Sequence, residues 1–219
     1  MFLLYLFLIG LVMGSFFTVV GLRVPLNESI ISPRSHCDNC KKTLKWYELI
    51  PLISWIIEGG RCSKCHSKIS VFYPIVELLT GFLFALSYRL YGISYEFFAM
   101  LVISSLLIVI LVSDFKYLVI LDIPLIISSI LILILKWYYF GLKTLIFSLI
   151  SGLVLFLFMF IIKFIGDKIF KRESLGGGDI KLAIFFGFTL GIRLSFMSLV
   201  LGSFLAFPYA LYYVIKSKE

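Results

Sequence analysis

Charged side chains are scarce in this sequence. They make up 15% of the 219 residues, against 61% for apolar residues, whereas a soluble domain usually has about 25% charged residues. A chain of this size could not bury so much apolar surface in one soluble core. The shortage of charge therefore excludes an ordinary soluble domain and indicates a protein whose main solvent is a lipid bilayer.

A continuous basic stripe is also missing, although the formal net charge is +8. The Lys and Arg residues are grouped between apolar segments, which is typical of loops beside a membrane. We therefore exclude a nucleic acid as the partner. Internal repeats and low-complexity tracts are absent from the sequence as well.

Long apolar runs occupy most of the remaining chain. A membrane span needs about 20 mostly apolar residues, and the sequence offers about seven such segments, within a range of six to eight. They are residues 2–20, 71–90, 95–113, 123–139, 145–165, 180–192 and 194–214. The first lacks the basic n-region and the cleavage site of a secretory signal peptide, so we expect it to remain as an anchor. The predicted fold class is all-α, a polytopic membrane helical bundle.

The distribution of basic residues predicts an orientation. If the N-terminus lies outside the cell, 16 of the 20 Lys and Arg residues fall in cytoplasmic segments, and only Arg89, Lys136, Lys143 and Arg193 fall outside. The positive-inside rule favours this arrangement over its inverse. The longest loop, residues 21–70, is then cytoplasmic.

All four cysteines lie in that loop as two Cys-x-x-Cys pairs, Cys37 with Cys40 and Cys62 with Cys65. Two such pairs can supply four thiolates to one tetrahedral Zn²⁺, and a loop of about 50 residues is too small to fold on a core alone. We predict a zinc-binding loop. The metal would be structural, because four protein ligands leave no open position for water.

Two disulfides, or an unmetallated redox pair, are the alternative for these cysteines. Disulfides rarely persist in the reducing cytoplasm, which favours zinc. The neighbouring His36 and His66 are expected to be bystanders, because four thiols already complete a tetrahedral site.

Two aspartates stand at predicted ends of membrane spans. Asp114 follows the third apolar run, and Asp179 precedes the sixth, directly after Gly176, Gly177 and Gly178. Carboxylates at membrane depth are costly and therefore suggest a function. Both lie at the predicted cytoplasmic face, so helix packing could bring them together.

Two close carboxylates share a proton, because both cannot easily ionise. The ionised one can take a proton from an attacking water, and the protonated one can hydrogen-bond the substrate carbonyl and later protonate the leaving nitrogen. The three glycines permit unusual backbone angles and close approach of an extended peptide, so we expect a substrate loop there. The alternative is that each aspartate only caps a helix, and for Asp122, two residues before Pro124, we favour that structural role.

Several motifs of the chain match one known family. They are Gly14-Ser15-Phe16, Arg23-Val24-Pro25, residues 33–40, 49–55 and 60–65, Tyr73-Pro74 with Glu77, the segment around Asp114, and residues 176–182. In these motifs and in their order, over nearly its whole length, the chain resembles the type IV prepilin peptidases of the GxGD class of membrane aspartyl proteases.

This resemblance implies an enzyme of the bacterial inner membrane that cleaves the leader of type IV prepilins and pseudopilins on the cytoplasmic side. It implies Asp114 and Asp179 as the catalytic pair and the four cysteines as zinc ligands, with Arg61 and Glu77 supporting the cytoplasmic site. Many members also methylate the new N-terminus with S-adenosylmethionine, whose binding residues the sequence does not identify. We expect three parts: a first transmembrane helix at residues 1–20, a zinc loop associated with the methyltransferase at 21–70, and the protease core at 71–219.

Three features depart from the family pattern. Pro124 is displaced relative to Asp122, Thr18 replaces a frequent Asn, and the seventh predicted span is the last. They leave both aspartates in place and weaken the expectation of methylation more than that of cleavage.

Two other functions are compatible with parts of the sequence. A proton-relaying transporter would use the two aspartates but leaves the cysteines and the glycine triplet unexplained. An inactive assembly factor would hold a pilus machine at the membrane through the zinc loop, and its binding to pilins would not depend on either aspartate. The sequence predicts no oligomeric state.

Overall fold

The computed structural model describes the backbone of residues 1–216 and the side chains of residues 1–208. Its α-helices are α1 (Phe2–Arg23), α2 (Ile53–Ile57), α3 (Phe72–Tyr91), α4 (Tyr95–Tyr117), α5 (Asp122–Phe170) and α6 (Gly177–Lys216), with 3₁₀ helices at Val24–Leu26 and Trp46–Leu49. Within residues 1–216 the only β-pairing consists of two isolated bridges. The predicted all-α class is confirmed.

The chain divides into two compact units, Met1–Pro124 and Leu125–Glu219, and each is described by itself. Their boundary differs from the boundaries predicted near residues 20 and 70, which were drawn from the loop and the motifs rather than from packing. The three-part division stays a prediction.

Glycines allow α1 and α3 to touch in the first unit. A Cβ atom added at Gly10 would lie 2.7 Å from the Cα of Gly81, and one added at Gly14 would lie 2.9 Å from the Cα of Glu77. Small residues at this spacing let helices approach closely in a bilayer, where burial of apolar surface does not drive association. The buried core of the unit consists of Phe17, Val76, Phe84, Ile108, Val109, Val112 and Leu121.

The start and the end of α4 have recognisable local causes. Ser94 caps the helix, because its hydroxyl accepts the backbone N–H of Phe97 at 3.3 Å. At the other end Leu118 adopts a left-handed conformation, with φ of 56°, and its N–H donates to the carbonyl of Asp114 at 2.9 Å. This is a common way to end a helix. It places Asp114 in the last turn of α4.

Each long helix of the second unit is folded back at one glycine. Gly141 in α5 has φ of 77° and Gly191 in α6 has φ of 74°, and neither is helical. Lys136 donates to the hydroxyl of Ser148 at 3.0 Å, although a straight helix would separate these residues by roughly 18 Å. Glycine is the residue that reaches such angles without a Cβ penalty, so α5 is a helical hairpin with a one-residue turn.

The two long helices also meet at a pair of glycines. A Cβ atom added at Gly187 of α6 would lie 2.6 Å from the Cα of Gly152 of α5. A buried cluster lies beside this contact and consists of Leu155, Met159, Ile180 and Ala183. The second unit therefore uses the same close helix approach as the first.

Four helices of the described residues are long and apolar enough to cross a membrane: Phe2–Leu26, Tyr95–Tyr117, Asp122–Phe170 and Gly177–Pro208. This count differs from the seven predicted spans for two reasons. The last four predicted segments fall within α5 and α6, because no loop separates the two halves of either helix. The second predicted span forms α3, which is less apolar because it includes Pro74, Glu77 and Arg89.

Candidate functional site

The four cysteine sulfurs form one cluster. All lie within 4.8 Å of one another, the Sγ atoms of Cys37 and Cys65 are 3.8 Å apart, and those of Cys40 and Cys62 are 3.9 Å apart. Four thiolates at about 2.3 Å from a tetrahedral Zn²⁺ lie roughly 3.8 Å from one another. All four cysteines are free of disulfides. The donor set and its spacing fit a structural zinc ion.

The two Cys-x-x-Cys turns have matching backbones. Lys41 and His66 each follow a second cysteine with φ near 55°, and each donates its N–H to the carbonyl of the first cysteine at 2.9 Å. His36 opens an isolated bridge to Thr43, and its ring contacts a backbone carbonyl. Neither histidine joins the sulfur cluster. The histidines are placed as predicted, and His66 also occupies the left-handed position of its turn.

A serine that the sequence analysis missed contacts two of the sulfurs. The hydroxyl of Ser67 lies 3.1 Å from Cys65 Sγ and 3.6 Å from Cys37 Sγ. Hydrogen bonding from this hydroxyl and then from the Ser67 N–H lowers the pKa of Cys65 to about 6. Thiolates are the form that binds metal. Ser67 therefore favours the ligand state of Cys65.

A buried carboxylate joins the two cysteine turns. Glu48 is 8% exposed; one oxygen contacts Lys42 and Ser63, and the other accepts the N–H of Lys45 at 2.7 Å. Lys42 follows the first turn and Ser63 lies within the second. The hydrogen bond from Lys42, followed by those from Lys45 and Ser63, lowers the pKa of Glu48 to about 2. The carboxylate stays ionised and holds the turns together independently of a metal.

Of the two charged residues that the family resemblance implied near the site, Glu77 has a defined contact. Its Oε2 accepts the backbone N–H of Leu52 at 2.9 Å, although Glu77 belongs to α3 and Leu52 lies in the loop. Leu52 has φ of 60°, a strained value for a branched side chain. Arg61 is exposed and pairs through its backbone with Lys68. Glu77 thus ties the cysteine loop to the helices.

The two aspartates lie at helix ends in different units. Asp114 is in the last turn of α4, within the first unit, and Asp179 is in the first turn of α6, within the second. Both side chains are exposed. Their predicted pairing stays a prediction. The third candidate, Asp122, begins α5, as its sequence neighbours predicted.

The glycine triplet leads into α6. Gly176, Gly177 and Gly178 have no positive φ, and the last two glycines form the first turn of α6. Because glycine has no side chain, there is open space beside this backbone. A Cβ atom at Gly177 would meet nothing within 4 Å, and one at Gly176 would lie 3.2 Å from the carboxylate of Asp179. The substrate-loop role stays a prediction.

Asp167 fixes the segment that leads to the glycines, a contact that the sequence did not indicate. Its Oδ1 accepts the backbone N–H of Ser174 at 2.6 Å and the Ser174 hydroxyl at 2.8 Å. Gly166 makes this approach possible, because a Cβ atom there would lie 2.5 Å from Ser174 Oγ. The end of α5 therefore holds the chain shortly before Asp179.

Two family models match the chain in succession. The first, described as "Bacterial Peptidase A24 N-terminal domain", matches residues 8–91, which contain all four cysteines. The second, described as "Type IV leader peptidase family", matches residues 101–211, which contain both aspartates. No solved structure matches the chain.

Curated relatives are similar over most of the chain. A "Prepilin leader peptidase/N-methyltransferase" of Bacillus subtilis is 38% identical over 90% of this chain and 79% of its own length. A protein of the same name from Myxococcus xanthus is 40% identical over 85% of this chain and 56% of its own length, so the chain spans little more than half of that relative. A "Type 4 prepilin-like proteins leader peptide-processing enzyme" of Escherichia coli is 32% identical over 83% of this chain and 74% of its own length.

Proposed function

This chain belongs to the type IV leader peptidase family, and from that premise we propose that it cleaves the leader peptides of type IV prepilins and pseudopilins. The observation that carries the proposal is the match of residues 101–211, which include Asp114 and Asp179, to this family. The names of relatives at 38% and 40% identity describe the same activity.

Asp114 and Asp179 are the proposed acid–base pair. One ionised carboxylate takes a proton from water as the water oxygen attacks the scissile carbonyl carbon. The other, protonated, hydrogen-bonds the carbonyl oxygen; when the C–N bond breaks, a proton passes to the leaving nitrogen. The exposure of both side chains at helix ends supports this role, because an extended peptide can reach them there.

Seven membrane passes are the proposed topology. A straight α5 would be roughly 73 Å long, more than twice the ~30 Å of a hydrocarbon core, so its reversal at Gly141 supports two passes. The reversal of α6 at Gly191 supports two more. With α1, α3 and α4 this gives seven. The distribution of basic residues supports an orientation with the N-terminus outside and the cysteine loop in the cytoplasm.

Zinc is the proposed structural metal of the loop, held by Cys37, Cys40, Cys62 and Cys65. The ion would supply a crosslink between two turns that have little apolar core of their own. It would take no part in peptide cleavage, because its four protein ligands leave no position for water.

Methylation of the new N-terminal amine is a second proposed activity. The names of the Myxococcus and Bacillus relatives include N-methyltransferase, and residues 8–91 match the bacterial N-terminal domain of the family. S-adenosylmethionine would donate the methyl group. No residues of this chain are assigned to it.

Intact mass of a co-expressed prepilin tests the proposal. The parent enzyme is expected to remove the leader, and Asp114→Asn and Asp179→Asn are expected to leave the prepilin uncut. A gain of about 14 Da on the cleaved pilin, the mass of one CH₂, would reveal methylation.

Asp122→Asn provides the matched control. Asparagine caps a helix as well as aspartate does, so this variant should cut at the parental rate. Parental cleavage by both Asp114→Asn and Asp179→Asn would refute the two-aspartate mechanism. If the parent left a cognate prepilin intact, the assembly-factor function would be favoured.

A further inference from the structure

The cysteine loop carries an exposed apolar patch, defined by Trp46, Tyr47, Ile53, Ile56 and Ile57. Trp46 is 74% exposed, Ile56 68% and Ile57 78%. The patch spans α2 and the 3₁₀ helix Trp46–Leu49, which contact each other. Such a patch on a folded chain usually marks an interaction surface.

The patch is one-sided. Ile53, Ile56 and Ile57 have the i, i+3, i+4 spacing of a single helix face, and all three are exposed. Trp55 of the same short helix points inward, where its Nε1 donates to the carbonyl of Ile69 at 3.3 Å and its ring packs on Gly60. The loop therefore partly buries one aromatic side chain of α2 and leaves three isoleucines exposed.

Aromatic rings contact one another at both ends of the helices in the first unit. Phe72 at the start of α3 stacks on Phe115 near the end of α4, with ring centroids 4.9 Å apart. At the opposite end Tyr88 contacts Phe2 and Phe97, at 4.6 and 6.0 Å. The helical rise from Phe72 to Tyr88 is roughly 24 Å, close to the ~30 Å thickness of a hydrocarbon core. Phe72 therefore lies near the membrane boundary on the loop side.

Glu77 holds the start of α2 at this boundary. Its Cα lies roughly 7 Å further along α3 than that of Phe72, and its side chain leans back toward the N-terminus of the helix, as helical side chains do. There its Oε2 accepts the N–H of Leu52 at 2.9 Å. Because Leu52 directly precedes α2, the patch begins at the level of the bilayer surface.

Most of the exposed charged side chains of the cysteine loop are basic. Between residues 37 and 70 the exposed charged side chains are five basic ones and a single acidic one, Asp38. The basic residues are Lys41, Lys45, Arg61, Lys64 and Lys68. The ammonium group of Lys45 lies 5.7 Å from the ring of Tyr47, within the patch itself. An apolar face with cations at its edge is the composition of segments that lie in a membrane interface.

We propose that the patch inserts into the headgroup region of the bilayer from which the loop emerges, and that the exposed basic residues of the loop bind anionic lipid phosphates. Trp46 and Tyr47 suit this position, because both rings are enriched at membrane interfaces. The cysteine loop then lies flat on the membrane. This inference requires only that the chain is embedded in a bilayer, and it does not depend on the peptidase reaction.

Tryptophan quenching in vesicles tests the proposal. The chain has three tryptophans, so pairwise Trp→Phe substitutions leave Trp46, Trp55 or Trp137 alone in the full-length protein. Vesicles of phosphatidylglycerol and phosphatidylcholine carry bromine on the upper acyl chain. The emission of Trp46 should fall by about half or more, as expected for an interfacial ring, and as much as that of Trp137, which is 59% exposed on α5. Trp55 should be quenched less.

Removing the anionic lipid separates the two parts of the proposal. In phosphatidylcholine alone, quenching of Trp46 should weaken while that of Trp137 stays constant. Equal quenching of Trp46 in both vesicles would overturn the role of the basic residues. Quenching of Trp46 by aqueous acrylamide but not by brominated lipid would overturn insertion.

Photo-crosslinking in an otherwise unchanged chain covers the case in which the tryptophan variants do not fold. A crosslinking residue at Ile57 should give lipid adducts, whereas one at Asn39, which is exposed in the same loop but outside the patch, should give few. Protein adducts at Ile57 without lipid adducts would overturn the proposal and identify the patch as a docking site for a protein.

Discussion

The four cysteines lie in one compact unit of the chain, whereas the two aspartates are divided between both units. The four sulfurs and the supporting Ser67 and Glu48 all belong to Met1–Pro124, whereas Asp114 and Asp179 belong to different units. Cys62 is 3% exposed, and both aspartates are exposed. A structural metal site works by excluding solvent and holding its ligands, whereas a peptidase site must admit a peptide. The cysteine cluster is therefore complete within one unit, whereas the two aspartates are exposed and belong to different units.

Removing one of the four cysteine sulfurs should have the largest effect, which is the loss of bound zinc. Cys62→Ser is expected to reduce bound zinc from about one equivalent to nearly none, because the free energy of a structural zinc site, about 10–16 kcal/mol, requires the full set of ligands. Elemental analysis of the purified membrane protein measures this. His36→Ala is the control and should keep its zinc, since His36 lies outside the sulfur cluster. Full zinc retention by Cys62→Ser would mean that the cluster does not hold the metal.

Removing one of the two proposed catalytic carboxylates should leave the cysteine cluster intact. Asp114→Asn or Asp179→Asn should lower kcat for prepilin cleavage by about 10²- to 10⁴-fold, the usual contribution of a general acid or base, with a small change in KM. Zinc content should equal that of the parent. A matching loss of zinc would show that the two regions depend on each other, contrary to the comparison.

Adding a methyl group at the contact between α1 and α3 should have a moderate effect on stability. At Gly10→Ala the new Cβ would lie 2.7 Å from the Cα of Gly81, so α1 and α3 must move apart. Overpacking of this kind costs about 1–3 kcal/mol. The melting temperature in detergent should fall, and the zinc loop should become easier to cleave with a protease, because α3 anchors it through Glu77.

Gly202→Ala is the matched control for that substitution. A Cβ atom at Gly202 would meet nothing within 4 Å, and alanine is favoured over glycine within a helix by roughly 0.5–1 kcal/mol. The two Gly→Ala changes should therefore shift the melting temperature in opposite directions. Equal shifts would contradict the close contact between α1 and α3.

Neutralising Glu48 should lower stability by about as much as Gly10→Ala does. Glu48→Gln keeps the shape but weakens the contacts with Lys42 and Ser63, and the loss of a buried charged hydrogen bond costs about 1–3 kcal/mol. Thermal release of zinc should occur at a lower temperature. The folded-state pKa of about 2 lies below the ordinary value of 4.5, so the contribution is complete above pH 4.5 and is lost as the pH falls toward 2. The difference in unfolding temperature between parent and variant should therefore shrink as the pH falls from 4.5 toward 2, and a difference that stays constant over this range would contradict the lowered pKa.

The candidate site residues could be identified from the sequence, because their pattern is local. Cys-x-x-Cys spacing groups the four sulfurs, and an apolar run followed by Asp114 places that residue at a helix end. The helical class follows from the apolar runs. The all-helical fold and the clustering of the cysteines are confirmed.

The remaining features depend on contacts between distant residues. Glu48 reaches Ser63 across 15 residues, and Glu77 reaches Leu52 across 25; no periodicity indicates such pairs. The sequence analysis left Gly141 between two predicted spans and placed Gly191 inside the sixth, because hydropathy does not show that one glycine can reverse a helix. The pairing of Asp114 with Asp179 depends on how two separate units pack, which local patterns do not encode.

The crossed arrangement of the sulfurs has a consequence for biosynthesis. Each close pair of sulfurs, Cys37 with Cys65 and Cys40 with Cys62, joins one turn to the other. Each turn supplies only two of the four ligands. The second turn is translated roughly 25 residues after the first, a delay of about 1–5 s at typical rates of synthesis. During that interval the first turn offers two thiols without a complete site. A metal ion held by all four sulfurs can therefore be loaded only after the whole loop has been made.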